Sequence, residues 1–170
     1  MAVYYVGFPL LLMAAIFDTT LMTLFRFWGG GPNLVLMIIV SWALLVDLRE
    51  SLPWAVMGGI FRDLLSLVPT GTSALIFVLI VVAIDWLIPK LGWRNLVVPP
   101  LVIVAVTVVY DLFVLSVLFI AGRPIFDILG FFYVIVPGLI ENAAMVLVIY
   151  RTLGGLNAFL RPTSRVSLLE

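Results

Sequence analysis

A few ionisable residues stand where the surrounding sequence is most apolar, and they are the natural starting point. Asp63, Asp111 and Glu141 lie deep inside apolar runs, Asp18 in the second half of the first run and Asp85 near the end of the fourth. Arg62 is the one deep cation. Ionised groups are costly in hydrocarbon, so such residues face a bundle interior or a water-filled cavity. Three kinds of chemistry suit them. They can tie helices together through a charge and hydrogen-bond network, relay a proton or ion or line a ligand pocket, or dock a partner's membrane helix. The leading explanation is a buried network, made of Arg62, Asp63, Asp111, Glu141 and Asn142, that fixes how the third, fifth and sixth apolar runs pack. Asn142 is an amide of the kind that hydrogen-bonds a neighbouring helix inside a bundle. Adjacent helical residues diverge by about 100°, so Arg62 and Asp63 are poorly placed as a simple pair. Each is expected to bond to another helix, with Asp111 and Glu141 the candidates for Arg62.

Catalysis finds little support. A hydrolase or transferase needs an activated nucleophile, a metal cluster or a base poised near neutral pH. The chain has no cysteine and no histidine, which removes thiol nucleophiles and the commonest metal ligands. The remaining carboxylates form no D-x-x-D or E-x-x-H cluster. No catalytic residue, metal site or cofactor is expected.

The elements that must position these residues are membrane helices. The 170 residues are 65% hydrophobic and 11% charged, with a mean hydropathy of +1.32, a composition of polytopic membrane proteins rather than soluble cores. Zero net charge argues against nucleic acid as a partner. The apolar runs predict an all-α membrane domain of six spans, approximately 3–24, 34–46, 53–67, 73–88, 96–121 and 131–150, followed by a tail over 151–170. The second run is short for a span, so it is little tilted, extended by its polar flanks, or partly buried among other helices. The first 25 or so residues lack a basic n-region and a convincing cleavage site, and read as a retained helix. Asp47, Arg49 and Glu50 form a charged loop before Pro53, which suits the first turn of the third helix. Six spans put both termini on one side. Arg49, Lys90, Arg94, Arg151, Arg161 and Arg165 fall on that side, against Arg26 and Arg123 opposite. The positive-inside rule therefore makes the termini cytoplasmic. The weakly amphipathic tail places Leu153, Leu156, Phe159 and Leu160 at the membrane interface. No strong internal repeat is visible, which weakens a transporter built from inverted halves.

The third span divides cleanly on a helical wheel. Ala55, Gly58, Gly59, Arg62, Asp63 and Ser66 fall within about 140° of one another, and bulky apolar residues take the rest. Small residues let another backbone come close, so Ala55, Gly58, Gly59 and Ser66, with Gly71 in the following loop, are candidates for close helix packing or a partner interface.

The stretch Gly59-Ile-Phe-Arg-Asp63-Leu-Leu-Ser66, followed by Pro69-Thr-Gly71-Thr-Ser-Ala74-Leu75, resembles the signature of the MreD family of bacterial rod shape-determining membrane proteins. Val108-Val109-Tyr110-Asp111 is similar to the aliphatic run ending in Asp in that family's fifth span. Asn142 falls where its last span tends to carry Asn. Length, span number and topology extend the resemblance over most of the chain. Arg62 departs from the family's usual aliphatic residue, Leu67 from a frequent glycine and Leu147 from a common proline. The resemblance implies a fold similar to the six-helix substrate-binding subunits of energy-coupling factor transporters. It implies a non-enzymatic scaffold in the bacterial cytoplasmic membrane that binds the single membrane helix of MreC. The machinery served is that of lateral cell-wall synthesis, with RodA, a class B penicillin-binding transpeptidase and MreB. Gly59, Asp63, Ser66, Gly71, Asp111 and Asn142 are the matching positions. The rival readings are a vitamin-type binding subunit of an energy-coupling factor transporter and a proton-coupled transporter using Asp63, Asp111 and Glu141.

Overall fold

The computed structural model describes residues 2–20, 31–66, 68–88, 96–122 and 128–160. Among them are six helices: α1 (Ala2–Thr20), α2 (Leu34–Leu45), α3 (Leu48–Leu64), α4 (Thr72–Leu87), α5 (Val98–Ile120) and α6 (Ile128–Leu160). The expected loops carrying Arg26, Lys90, Arg94 and Arg123, and the end of the tail with Arg161 and Arg165, lie outside the described residues. Two helical stretches, Val98–Ile120 and Ile135–Leu160, are long and apolar enough to cross a membrane.

The fold is organised around its shortest helix. α2 has 12 residues, about 18 Å at 1.5 Å per residue. Val35 through Leu44 are all buried. A helix that is hydrophobic on every side belongs in an interior, and α2 packs against each of the other five. Around it, α3 lies along α4, α4 along α5, α5 along α6 and α1 along α3. Aromatic rings fill the centre. Trp42 of α2 stacks on Trp54 of α3 with centroids 4.4 Å apart and planes 12° apart. Gly7 lets α1 approach that pair, since a Cβ there would sit 2.5 Å from the Trp54 indole. Phe77 of α4 stacks on Tyr110 of α5 at 5.3 Å.

The boundaries of α3 and α6 differ from the sequence expectation by more than the usual one or two residues. The charged segment before Pro53 is helix rather than loop. Asp47 stands at the N-cap of α3, and Arg49 and Glu50 lie in its first turn, where an acid complements the positive end of the helix dipole. Ser51 Oγ donates to the Asp47 carbonyl at 3.2 Å, and Pro53 is accommodated inside the helix. At its other end α3 stops at Leu64, short of residue 67. α6, in turn, does not end at Tyr150 but runs on through Gly154-Gly155 to Leu160. Tertiary contact overrides the low helical propensity of glycine here: Leu153 is buried and Leu156 packs against the same core.

Candidate functional site: a polar junction joining all six helices

The N-termini of α2 and α4 are buried, and a helix start leaves backbone N–H groups without intrahelical partners. Unpaired buried donors are expensive, and side chains from neighbouring helices meet them. Asp18, near the end of α1, accepts from the backbone N–H of Leu34 at 2.9 Å and of Val35 at 3.2 Å. Asn33 caps the same helix conventionally, its Oδ1 accepting from Leu36 N–H at 3.0 Å. Asp63, near the end of α3 and 2% exposed, serves α4 in the same way. Its carboxylate accepts from Gly71 N–H at 2.8 Å and from Ser73 N–H at 3.0 and 3.1 Å.

Arg62 connects the two caps. Its Nη1 donates to Asp18 Oδ2 at 3.1 Å and to Asn33 Oδ1 at 2.9 Å, and its Nε donates to the Tyr110 hydroxyl at 2.7 Å. Tyr110 and Ser73 share a hydrogen bond of 3.0 Å between their hydroxyls. On the far side of α2, the Asn142 carbonyl oxygen accepts from Asn33 N–H at 2.8 Å. The Asn142 amide donates to Thr107 Oγ1 at 3.1 Å. The chain Ser73–Tyr110–Arg62–Asp18, joined through Asn33 and Asn142 to Thr107, takes a residue from every helix or its cap. A guanidinium held by an acid, an amide and a phenol is braced on three sides, and hydrogen bonds to ionised groups are the stronger kind. The hydroxyls and carboxylates of the junction are all engaged in hydrogen bonds. Its evident capacity is to hold the helices in a fixed arrangement.

The structure brings Arg62, Asp63 and Asn142 into this junction and leaves Glu141 and Asp111 outside its hydrogen bonding. Arg62 and Asp63 diverge, as adjacent helical residues must, the first toward α1 and α5 and the second toward α4. The expected partners of Arg62 are not the ones it takes. The ion pair is with Asp18, 44 residues away in the chain. Asp111 is half-buried and close enough to feel the Arg62 charge, but has no hydrogen bond among the described residues. Glu141 shares no bond with Arg62, and both its carboxylate oxygens are covered and unpartnered among the described residues. Asp18, Asn33, Ser73, Thr107 and Tyr110 complete the site. Asn33 carries a readable signal, an Asn immediately before an apolar run. Asp18 carries a weaker one, as a lone acid in an otherwise apolar helix.

The small residues divide by role. Ala55 is fully buried. A Cβ on Gly59 would fall within hard contact of the Ala74 backbone, so this glycine sets the closeness of α3 and α4. Gly58 faces Ile39, Val35 and Leu11 of α2 and α1. These three are therefore internal packing positions and present no surface to a partner. Gly71 and Ser66 do not pack closely at all. Gly71 has φ +98°, and a Cβ there would have nothing within 4 Å, so its backbone conformation is what calls for glycine. Ser66 is exposed at the end of α3, where its Oγ accepts from Val68 N–H at 3.3 Å.

No curated protein and no solved structure matches the chain. The family model for rod shape-determining protein MreD matches residues 1–158, nearly the whole of it. With that match reaching into all six helices, the chain belongs to the MreD family of rod shape-determining proteins.

Proposed function

We propose that the chain is a six-span protein of the bacterial cytoplasmic membrane with both termini cytoplasmic. It acts as a non-enzymatic scaffold that binds the membrane helix of MreC and supports lateral peptidoglycan synthesis and cell shape, alongside RodA, a penicillin-binding transpeptidase and MreB. The observation that carries this reading is the use of Arg62, Asp18 and Asp63 on one another and on helix starts. Such groups brace a bundle rather than await a substrate. The outward faces of α5 and α6 are apolar, with Leu101 and Ile140 each 66% exposed and Val148 68% exposed, which suits lipid and partner helices. Association in lipid then proceeds by packing and a few interhelical hydrogen bonds.

The test is affinity purification of the tagged protein, co-expressed with MreC, from mild detergent. Co-purification of MreC is the expected result. Recovery of an ATPase with a transmembrane coupling subunit, or of a bound vitamin, would replace the scaffold with a transporter subunit. A second reading keeps one observation in its favour. Asp111 and Glu141 carry no hydrogen bond among the described residues and are the acids a proton-coupled transporter would use. Solute uptake that depends on pH and is lost in Asp111→Asn would establish it.

A further inference from the structure

We infer that the α3–α4 face is a lipid-binding surface that selects phospholipids with short acyl chains and thins the bilayer on that side; the inference rests on the six-span reading. α4 and α5 pack along each other but differ in length. α4 has 16 residues, about 24 Å, and α5 has 23, about 35 Å. A hydrocarbon layer of about 30 Å calls for about 20 apolar residues, so α5 is long enough and α4 falls short. α3, which also packs on α4, has 17 residues, about 26 Å. Tilt only shortens the depth that a helix covers.

The exposed side chains follow the same step. On α4 they are apolar from Leu75 to Leu87, about 18 Å. On α5 they are apolar from Leu101 to Ile120, about 29 Å. Ser116 is the one break there, and its hydroxyl donates to the Leu112 carbonyl at 2.7 Å. The short belt has polar or irregular ends. Ser66, Pro69, Thr70 and Gly71 are exposed and lie outside the helices, and lipid-exposed irregular backbone does not occur within the hydrocarbon region. The hydrocarbon against this face therefore stops at the α3–α4 turn. Toward the opposite end, Asp47 and Arg49 are exposed where α3 begins. Asp47 is too short a side chain to reach water from below the interface. Trp86, 84% exposed, stands in the last turn of α4, and tryptophan favours the interface. A span shorter than the hydrocarbon layer thins the bilayer around it, at a fraction of a kcal/mol per Å of mismatch. Short chains relieve that cost at α3–α4 and gain nothing at α5, so they accumulate on one side of the molecule.

The chain has no cysteine, so a single-cysteine variant takes one label at one place. Leu79→Cys on α4 and Val109→Cys on α5, at positions each 51% exposed, are labelled with bimane in the purified full chain. Each is reconstituted into an equal mixture of dimyristoleoyl and dierucoyl phosphatidylcholine, with one or the other lipid dibrominated as a quencher. Quenching by each lipid is normalised to that in vesicles of the same brominated lipid alone. The ratio of short-chain to long-chain quenching should be several-fold higher at Leu79→Cys than at Val109→Cys. Equal ratios at the two positions, or a higher ratio on α5, overturn the selection. Thr70→Cys carrying a nitroxide reads the thinning itself, in vesicles of dierucoyl phosphatidylcholine alone. Collision with a water-soluble nickel chelate in preference to oxygen is expected, and the reverse preference overturns a bilayer thinned to the turn. Bimane left unquenched by both lipids at both positions overturns the six-span reading together with the inference, whereas quenching with equal ratios leaves that reading standing.

Discussion

α2 and α5 are both almost wholly apolar, yet they occupy opposite environments. α2 buries Val35 through Leu44 without interruption. α5 buries only Pro99, Ile103, Thr107 and Tyr110, a stripe at helical spacing, and exposes Leu101, Val109 and Leu112. Apolarity alone does not distinguish a helix that sees protein from one that sees lipid. Length and capping do. At about 18 Å, α2 is shorter than the hydrocarbon layer, and its buried start is met by Asp18, Asn33 and Asn142. α5, at about 35 Å, is long enough to cross the hydrocarbon layer.

The contrast predicts where substitutions hurt. The largest effect belongs to the trans caps. Asp63→Ala removes the acceptor for Gly71 and Ser73 N–H. With each hydrogen bond to a charged group contributing about 1.5–3 kcal/mol, the loss should be about 3–5 kcal/mol, read as a collapsed denaturation midpoint in detergent. Next comes close packing. Gly59→Ala drives a methyl into the Ala74 backbone and should cost about 2–3 kcal/mol. Gly58→Ala meets only side chains, with the nearest atom Ile39 Cδ1 at 2.8 Å, so its midpoint should shift less. A reversal of that order would break the account of α3–α4 contact. Gly71→Ala places a side chain at φ +98° in open space, a cost of about 1–2 kcal/mol from backbone conformation, detectable in the same titration. Smallest of all, Leu101→Ala and Ile140→Ala on the outward faces should stay within about 0.5 kcal/mol. A large loss there would mean those faces pack against protein.

Much of this architecture is legible in the sequence. Six apolar runs locate the six helices among the described residues, and the wheel of the third collects the buried Ala55, Gly58, Gly59 and Asp63 but also the exposed Ser66, and it leaves the buried Trp54 on its bulky side. The divergence of Arg62 from Asp63 follows from helix geometry. The identity of Arg62's partner does not, because it depends on how α1 crosses α3, and no local pattern encodes that crossing. Asp111 and Glu141 look equally suited by depth, yet Asp18 wins because it also faces the start of α2. The two longest extensions beyond the expected spans share a cause. At Arg49-Glu50 and at Gly154-Gly155, local composition signals a break, and packing of Trp54 on one helix and Leu153 on the other keeps the chain helical. Gly58 and Gly71 show the limit of residue type as a guide. One glycine marks close contact and the other a backbone angle, and the letters are the same.

The positions of the two trans caps along the chain bear on how it is made. Asp18 precedes Leu34 and Val35, and Asp63 precedes Gly71 and Ser73. As the ribosome delivers the chain from its N-terminus, each carboxylate is in place before the helix start it serves has been synthesised. The hairpins α1–α2 and α3–α4 can thus each close as soon as their second member has been synthesised, without waiting for later helices. Asn142, which receives the Asn33 N–H across 109 residues, arrives last and seals an assembly whose first two hairpins are already capped.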